Sequence, residues 1–100
     1  MSIVIKHYKR LYHAPNCKSM FSIYIPEADL YLRDIREMVK PDGARWFSYP
    51  SRDYETPDGR KKYIQFYQFG KEKNQKFQAQ LRLALMDYRI AINEEEMEKG

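Results

Sequence analysis

The first two thirds of the chain alternate between apolar and polar residues in short runs, which is typical of β-strands. In the run SMFSIYI, Phe21, Ile23 and Ile25 share one parity, and Pro26 ends the run. Comparable runs are IVIKHYKRLY, LYLRDIREMVK, ARWFSYP and RKKYIQFYQF, separated by APNC and two PDG turn sequences. The pattern predicts an antiparallel meander of about five strands.

The run LYLRDIREMVK changes phase near its middle. Leu30 and Leu32 share one parity, whereas Ile35 and Val39 share the other. Because one extra residue in a strand flips the side chains that follow it, we expect a β-bulge near Arg33–Asp34.

From Lys71 onward, the apolar residues recur with the period of a helix. One stripe consists of Phe77, Leu81, Ala84, Leu85, Tyr88 and Ile92. A second stripe, on nearly the opposite side, consists of Ala79, Leu83, Met86 and Ile90. Since a helix that covers one sheet needs only one stripe, we interpret the second as a homodimer interface. A strand or the N-terminal arm folding over it is the alternative. The predicted fold class is α+β, an antiparallel sheet of about five strands followed by one C-terminal helix.

Size and composition indicate a single globular domain. One hundred residues with 43% hydrophobic and 15% aromatic content can form one modest core. No apolar run approaches the roughly 18 residues of a membrane span, and the N-terminus lacks a signal peptide's apolar segment. The single Cys17 agrees with a reducing compartment. We therefore expect a cytoplasmic protein that does not contact membranes.

The charge is distributed unevenly along the chain. The formal net charge is +4, but residues 94–98 carry four glutamates. Residues 1–93 hold 17 of the 18 Lys and Arg residues and 10 of the 14 Asp and Glu residues, a net charge of +7. A basic body favours polyanionic partners. We expect one domain over residues 1–93 and a short acidic tail over residues 94–100.

The sequence offers little catalytic chemistry. His7, His13 and Cys17 do not have the spacing of a metal site, and the four glycines form no phosphate-binding loop. Neither Ser48 nor Ser51 has a nearby histidine that would activate it. We expect no enzymatic activity, cofactor, metal or small-molecule substrate.

Cations and tyrosines are the better candidates for function, because cations neutralise phosphates and exposed aromatic rings stack on unpaired bases. The candidate nucleic-acid contacts are Arg33, Arg36, Arg52, Arg60, Lys61, Lys62, Lys71, Lys73, Lys76, Tyr63 and Tyr67. Tyr24 and Tyr49 also lie on predicted strands, at parities compatible with an exposed aromatic face. The alternative is that these tyrosines pack in a half-buried sheet or a dimer contact. Adjacent Trp46 and Phe47 must point to opposite sides of their strand, so we expect one of them in the core.

The middle of the chain resembles the SpoVG family, bacterial stage V sporulation protein G and its relatives. The resemblance is motif-level over about residues 20–90. Its specific part is Asp34, Ile35, Arg36, then Phe47, Pro50, Ser51, Arg52, then Thr56, Pro57, Asp58 and Gly59. It implies a small antiparallel sheet with a C-terminal helix, a dimer, and DNA or RNA binding in regulation. A divergent bacterial or phage-encoded relative fits these motifs.

The leading functional hypothesis is a dimeric, non-enzymatic nucleic-acid-binding regulatory protein, held by basic residues on the phosphate backbone. One alternative is an adaptor that binds an acidic protein, or a protein groove covering the second helical stripe. Another is a single-strand binder similar in layout to transcriptional coactivator p15 proteins.

Overall fold

The computed structural model describes residues 1–93, and the predicted acidic tail lies outside the described residues. The fold class is confirmed as α+β, with antiparallel sheets and one C-terminal helix. The elements in chain order are β1 (Val4–Arg10), β2 (Cys17–Ile25), a 3-10 turn (Pro26–Ala28), β3 (Leu30–Val39), β4 (Arg45–Ser48), β5 (Ser51–Glu55), β6 (Lys61–Gln65) and α1 (Lys71–Ala91).

Six strands form two sheets instead of the predicted meander of about five. β1 to β4 form one sheet in the order β1-β2-β3-β4, and β5 and β6 form a separate hairpin. The break falls at Tyr49 and Pro50, between β4 and β5. Because proline has no N–H to donate to a strand ladder, β4 cannot continue regularly through Pro50.

One face of the four-stranded sheet packs against α1, as the alternation in β2 and the first helical stripe predicted, except that Ile92 lies beyond the end of the helix and is exposed. The core consists of Phe21, Ile23, Ile25, Leu32, Ile35, Phe47, Tyr49, Phe77, Leu81 and Leu85. Phe47 is buried and its neighbour Trp46 is exposed, which confirms that one of the pair faces the core.

The predicted bulge in β3 is present. The pairing with β2 shifts between Leu32 and Ile35, and Asp34 has a φ of 60°. The Asp34 N–H donates to Ser22 Oγ at 3.3 Å, so its backbone donor is satisfied outside the regular ladder. The extra residue lets both Leu32 and Ile35 face the core.

A buried ion pair fastens α1 to the sheet. The Arg89 guanidinium donates two hydrogen bonds to the Glu37 carboxylate, Nη1 to Oε2 at 2.9 Å and Nη2 to Oε1 at 2.5 Å. Ser19 Oγ donates to the same carboxylate at 3.0 Å, and Arg89 Nε donates to the Tyr8 hydroxyl at 3.1 Å. Burial alone would raise the pKa of Glu37, but Arg89, with Ser19 and Arg45, outweighs burial and lowers it.

The outer edge of β4 is closed by a helical side chain. Gln78 Oε1 accepts from the Phe47 N–H, and Gln78 Nε2 donates to the Phe47 carbonyl, both at 2.9 Å. The amide therefore takes the place of a neighbouring strand. An edge strand with paired backbone groups is protected against adding a foreign strand at that point.

Candidate nucleic-acid interface

The sheet face that points away from α1 is the first part of the candidate site. In β2, the odd-numbered residues from 19 to 25 are buried and Met20 and Tyr24 are partly exposed, and strand register extends this division to the other strands. We call this surface the open face. Its members are Val4, Lys6, Lys9, Met20, Tyr24, Tyr31, Arg33, Arg36, Met38 and Trp46.

The open face is basic. It carries four exposed cations, of which β1 supplies Lys6 and Lys9 and β3 supplies Arg33 and Arg36. The nearby carboxylate on β3 is Asp34, at the bulge. Among residues 1–93, none of the four cations is in a salt bridge. These side chains can therefore meet an anionic ligand without first breaking an ion pair.

Aromatic rings lie among these cations. The Tyr24 and Tyr31 rings pack with their centroids 4.6 Å apart, and the Arg33 guanidinium lies 5.7 Å from the Tyr31 centroid. Tyr31 is 50% exposed, so part of its ring is open to solvent. A ring beside a guanidinium is an arrangement that can stack on a base while the cation contacts phosphate.

The β5–β6 hairpin is the second part of the site, and its two faces differ. Residues directly opposite in an antiparallel pair share a face. Arg52 pairs with Ile64 and Tyr54 pairs with Lys62, so these four residues form what we call the basic face of the hairpin. The other face carries Ser51, Asp53, Glu55, Lys61, Tyr63 and Gln65, which include two carboxylates and one cation.

A cleft joins the hairpin to the open face. It has a volume of about 400 Å³, and its lining includes Met20 and Arg36 from the sheet and Pro50 and Phe66 from the base of the hairpin. Phe66 lies one residue beyond the end of β6 and is 66% exposed. The open face therefore meets the base of the hairpin at this cleft, whose lining also includes Ser51 from the other hairpin face.

Three predicted contacts on the hairpin lie apart from its basic face. Arg60 is in the turn, where its Nε lies 3.4 Å from Asp58 Oδ2 in an exposed ion pair. Lys61 and Tyr63 are on the opposite face, where they pair with Glu55 and Asp53 respectively. The trio Arg60-Lys61-Lys62 is therefore divided by the strand alternation, and Lys62 is the member on the basic face.

The three predicted helix lysines are not brought together with the open face. Lys71, Lys73 and Lys76 are exposed in the first turns of α1, which packs on the other side of the sheet. They remain predicted contacts, but a ligand lying flat on the open face would not reach all three.

Two of the tyrosines serve packing. Tyr49 is buried, in agreement with the packing alternative; the chain turns at Pro50, and Tyr49 packs against Phe69 and Phe77. Tyr67 packs partly against the core, and its hydroxyl donates to the Arg33 carbonyl at 2.9 Å. Burial, with Tyr49 and Asp34 nearby, raises the pKa of Tyr67.

Lys6, Lys9, Tyr31 and Phe66 contribute cations and rings to this site and were not among the predicted contacts. Lys6 and Lys9 have opposite parity in the sequence, and they share the open face because the pairing of β1 with β2 shifts between them, where His7 has a φ of 52°. Tyr31 has the parity of Arg33 in the same strand. Phe66 has the parity of Ile64 in its run, and the candidate rings of that run were the tyrosines of the other parity, Tyr63 and Tyr67.

Among residues 1–93, no cluster of three or more His, Cys, Asp or Glu side chains could hold a metal ion. A second cleft of about 730 Å³ lies between β4 and α1, and amides and aromatic rings line much of it, including Trp46, Gln65, Gln75 and Phe69. In this part of the chain, no helix is long and apolar enough to cross a membrane.

Comparisons with known proteins found no relative of this chain. No protein-family model, curated protein or solved structure matches the chain. The resemblance to the SpoVG family therefore stays a prediction from the motifs, and the functional argument depends on the surface itself.

Proposed function

We propose that this chain is a homodimeric, non-enzymatic cytoplasmic protein that binds DNA or RNA in a regulatory role. Its binding surface combines the open face with the basic face of the hairpin. The observation that carries the proposal is that exposed cations lie beside exposed aromatic rings on the side of the sheet that α1 leaves uncovered, Arg33 beside Tyr31 and Arg36 in one cleft with Phe66.

The main contribution to binding is electrostatic. The combined surface presents six cations, Lys6, Lys9, Arg33, Arg36, Arg52 and Lys62. Neutralising phosphates releases condensed counterions, so affinity falls as salt rises. If all six meet phosphates, the slope of log K against log salt is about −5 for duplex DNA and about −4 for a single strand.

Aromatic residues provide the basis for a strand preference. Tyr31 and Phe66 are 50% and 66% exposed. Stacking an unpaired base on an aromatic ring contributes about 1–3 kcal/mol. A single strand can use both the cations and these rings, whereas a duplex keeps its bases stacked internally. Substituting Tyr31→Ala should therefore weaken single-strand binding more than duplex binding.

The test compares the open face with the helix. We would measure fluorescence anisotropy of labelled nucleic acids with wild type, with Arg33→Ala/Arg36→Ala, and with the matched control Lys71→Ala/Lys73→Ala, which changes two exposed lysines of α1. The open-face variant should lose affinity and its salt slope should flatten by about 2, because two phosphate contacts disappear. Equal affinity of wild type and the open-face variant would refute the proposed surface, and an effect confined to the helix variant would move binding to α1.

An acidic protein partner could use the same cations, which is the adaptor alternative. Charge alone favours either ligand, but the exposed rings beside Arg33 and Arg36 favour nucleic acid because they can stack on bases. Competition distinguishes the two: an acidic polypeptide such as polyglutamate should displace nucleic acid weakly if bases contribute to binding. Full displacement of nucleic acid by polyglutamate at an equal concentration of charges would favour the adaptor alternative.

A further inference from the structure

The helix carries an uncovered apolar stripe on the side opposite the sheet. Leu83, Met86 and Ile90 are 59%, 48% and 59% exposed, and Ala79 is also exposed. Their intervals of four, three and four residues are the spacing of the a and d positions in a coiled coil. Ala79 and Met86 then occupy d positions, and Leu83 and Ile90 occupy a positions.

The charges that flank this stripe indicate what covers it. The same heptad places Arg82 at a g position and Asp87 at the e position of the next heptad. Both are exposed, and neither is in a salt bridge among residues 1–93. In a parallel two-stranded coiled coil, a g residue faces the e residue of the next heptad on the partner, and such pairs set partner choice and orientation.

We propose that α1 pairs with α1 of a second copy of this chain, parallel and in register, with Arg82 against the partner's Asp87 on both sides of the stripe. An antiparallel pair places g beside g and e beside e. The g positions in α1 are Gln75, Arg82 and the buried Arg89, so no acid would then face Arg82. The charges thus select a second copy and one orientation.

Lys76 limits the length of the contact. It occupies the a position that precedes Ala79, where a lysine fixes register and oligomeric state at the expense of stability. The apolar contact therefore extends over residues 79–90. Such a short interface is at the low end of the size range for specific complexes, so the dimer is reversible and dissociates on dilution.

This pairing has a consequence that rests on the proposed function. Each α1 has its own sheet on one side and the partner helix on the other, so the two open faces point away from each other. One dimer therefore binds two separate segments of nucleic acid. Because the helices are parallel, both hairpins lie at the same end of the dimer, next to the helix N-termini.

The first experiment is sedimentation equilibrium without nucleic acid. Arg82→Asp and Asp87→Arg should each raise the dimer dissociation constant about tenfold, because two attractive pairs become repulsive. The double variant should recover the wild-type constant. A wild-type monomer at all concentrations, or a double variant as weak as the single ones, would overturn the proposal.

The second experiment tests orientation by cross-linking. Parallel helices in register bring each Leu83 close to the partner's Leu83, at a separation that a disulfide can span. In a Cys17→Ser background, Leu83→Cys should form disulfide-linked dimers on mild oxidation, and the control Gln80→Cys at an e position should not. Equal cross-linking of both would contradict the register. Circular dichroism verifies that both variants fold.

Bridging is measured separately, by capture of a labelled duplex on a second, bead-bound duplex. Wild type should bridge, whereas Arg82→Asp should bind one duplex and bridge at least about tenfold less at protein concentrations where only wild type is dimeric. If the dimer dissociation constants change as expected but neither wild type nor any variant binds nucleic acid, the proposed function fails and the helix pairing stands. Bridging that persists in the monomeric variant would overturn the two-segment consequence.

Discussion

The four-stranded sheet with α1 and the β5–β6 hairpin are built on different physical principles. In β2, five of nine residues are buried, and the core joins three strands of the sheet to the helix. In β5 and β6, all ten residues are exposed. The sheet and helix are thus stabilised by apolar burial, whereas the hairpin depends on its own ladder and turn.

This difference shows where to look for function. Core positions are explained by packing, so Phe21 or Leu81 says little about a ligand. The hairpin has no packing requirement that would place Arg52 and Lys62 on one face and Asp53 and Glu55 on the other. Exposed side chains sorted by charge favour a binding role.

The largest effect is expected in the sheet and helix, at the buried ion pair. Glu37→Gln leaves the Arg89 guanidinium buried without its carboxylate, which destabilises the fold by about 3–5 kcal/mol. The matched change in the hairpin is Asp58→Asn, which breaks the exposed pair with Arg60. Urea denaturation should shift strongly for the first variant and remain unchanged for the second. Equal shifts of the urea midpoint for the two variants would contradict the proposed difference between the sheet-and-helix unit and the hairpin.

The pH dependence of stability should report on the same ion pair, Glu37 with Arg89. The folded-state pKa of Glu37 lies below its unfolded value, so its stabilisation is present above the unfolded pKa, about 4.3. It is lost as pH falls from there through the folded pKa. The free energy of unfolding should therefore decrease below about pH 4 more steeply in wild type than in Glu37→Gln. Parallel curves for the two proteins would contradict the assignment.

A pair of cavity substitutions sharpens the comparison. Leu81 is fully buried, and Leu81→Ala should cost about 2–5 kcal/mol through lost burial and the cavity it leaves. Ile64 in the hairpin is 52% exposed, and Ile64→Ala should change stability by about 0.5 kcal/mol or less. Thermal and urea unfolding measure both. A large loss for Ile64→Ala would mean that the hairpin is covered in solution.

The two hairpin faces should differ in affinity while stability is unaffected. Arg52→Ala/Lys62→Ala removes two cations from the basic face, so the salt slope should flatten by about 2 and the affinity should fall. Lys61→Ala changes the opposite face and should have the smaller effect. Anisotropy at two salt concentrations checks this. Equal losses per cation would indicate that the hairpin contributes only its net charge.

The smallest effect is expected at the hairpin turn. Gly59 has a φ of 85°, which strains any residue with a Cβ, so Gly59→Ala should cost about 1 kcal/mol. Because the hairpin has no buried residue, opening it should not unfold the core. Hydrogen exchange should accelerate at β5 and β6 amides and stay unchanged in β2. Acceleration in both would show that the hairpin and the sheet unfold together.

The periodicity of the sequence predicted those features of the fold that depend on neighbouring residues in the chain. The phase change in β3 predicted the bulge at Asp34, and strand alternation predicted that one of Trp46 and Phe47 is buried. Helical spacing identified the second apolar stripe through Leu83, which is exposed in the single chain. What it missed depends on which strands become neighbours. The buried pair of Glu37 and Arg89 joins residues 52 positions apart, and neither is recognisable as buried from its own segment.

For the candidate site too, the residue types could be predicted from the sequence, whereas their arrangement in space could not. Arg36 and Arg52 were identified as cations, but their positions on the open face and on the basic face of the hairpin became visible only with the strand register. The hairpin was assigned to the main sheet because exposed and half-buried strands have the same alternation. The lack of any buried residue in β5 and β6 is a tertiary property.

The most direct test of the account is a salt series with the full chain and labelled single- and double-stranded DNA and RNA, followed by fluorescence anisotropy. The account predicts binding at low salt with an affinity that falls steeply as salt rises, a slope of about −4 to −5 if all six cations meet phosphate. No binding of any of the four nucleic acids at low salt, or an affinity that does not change with salt, would contradict it.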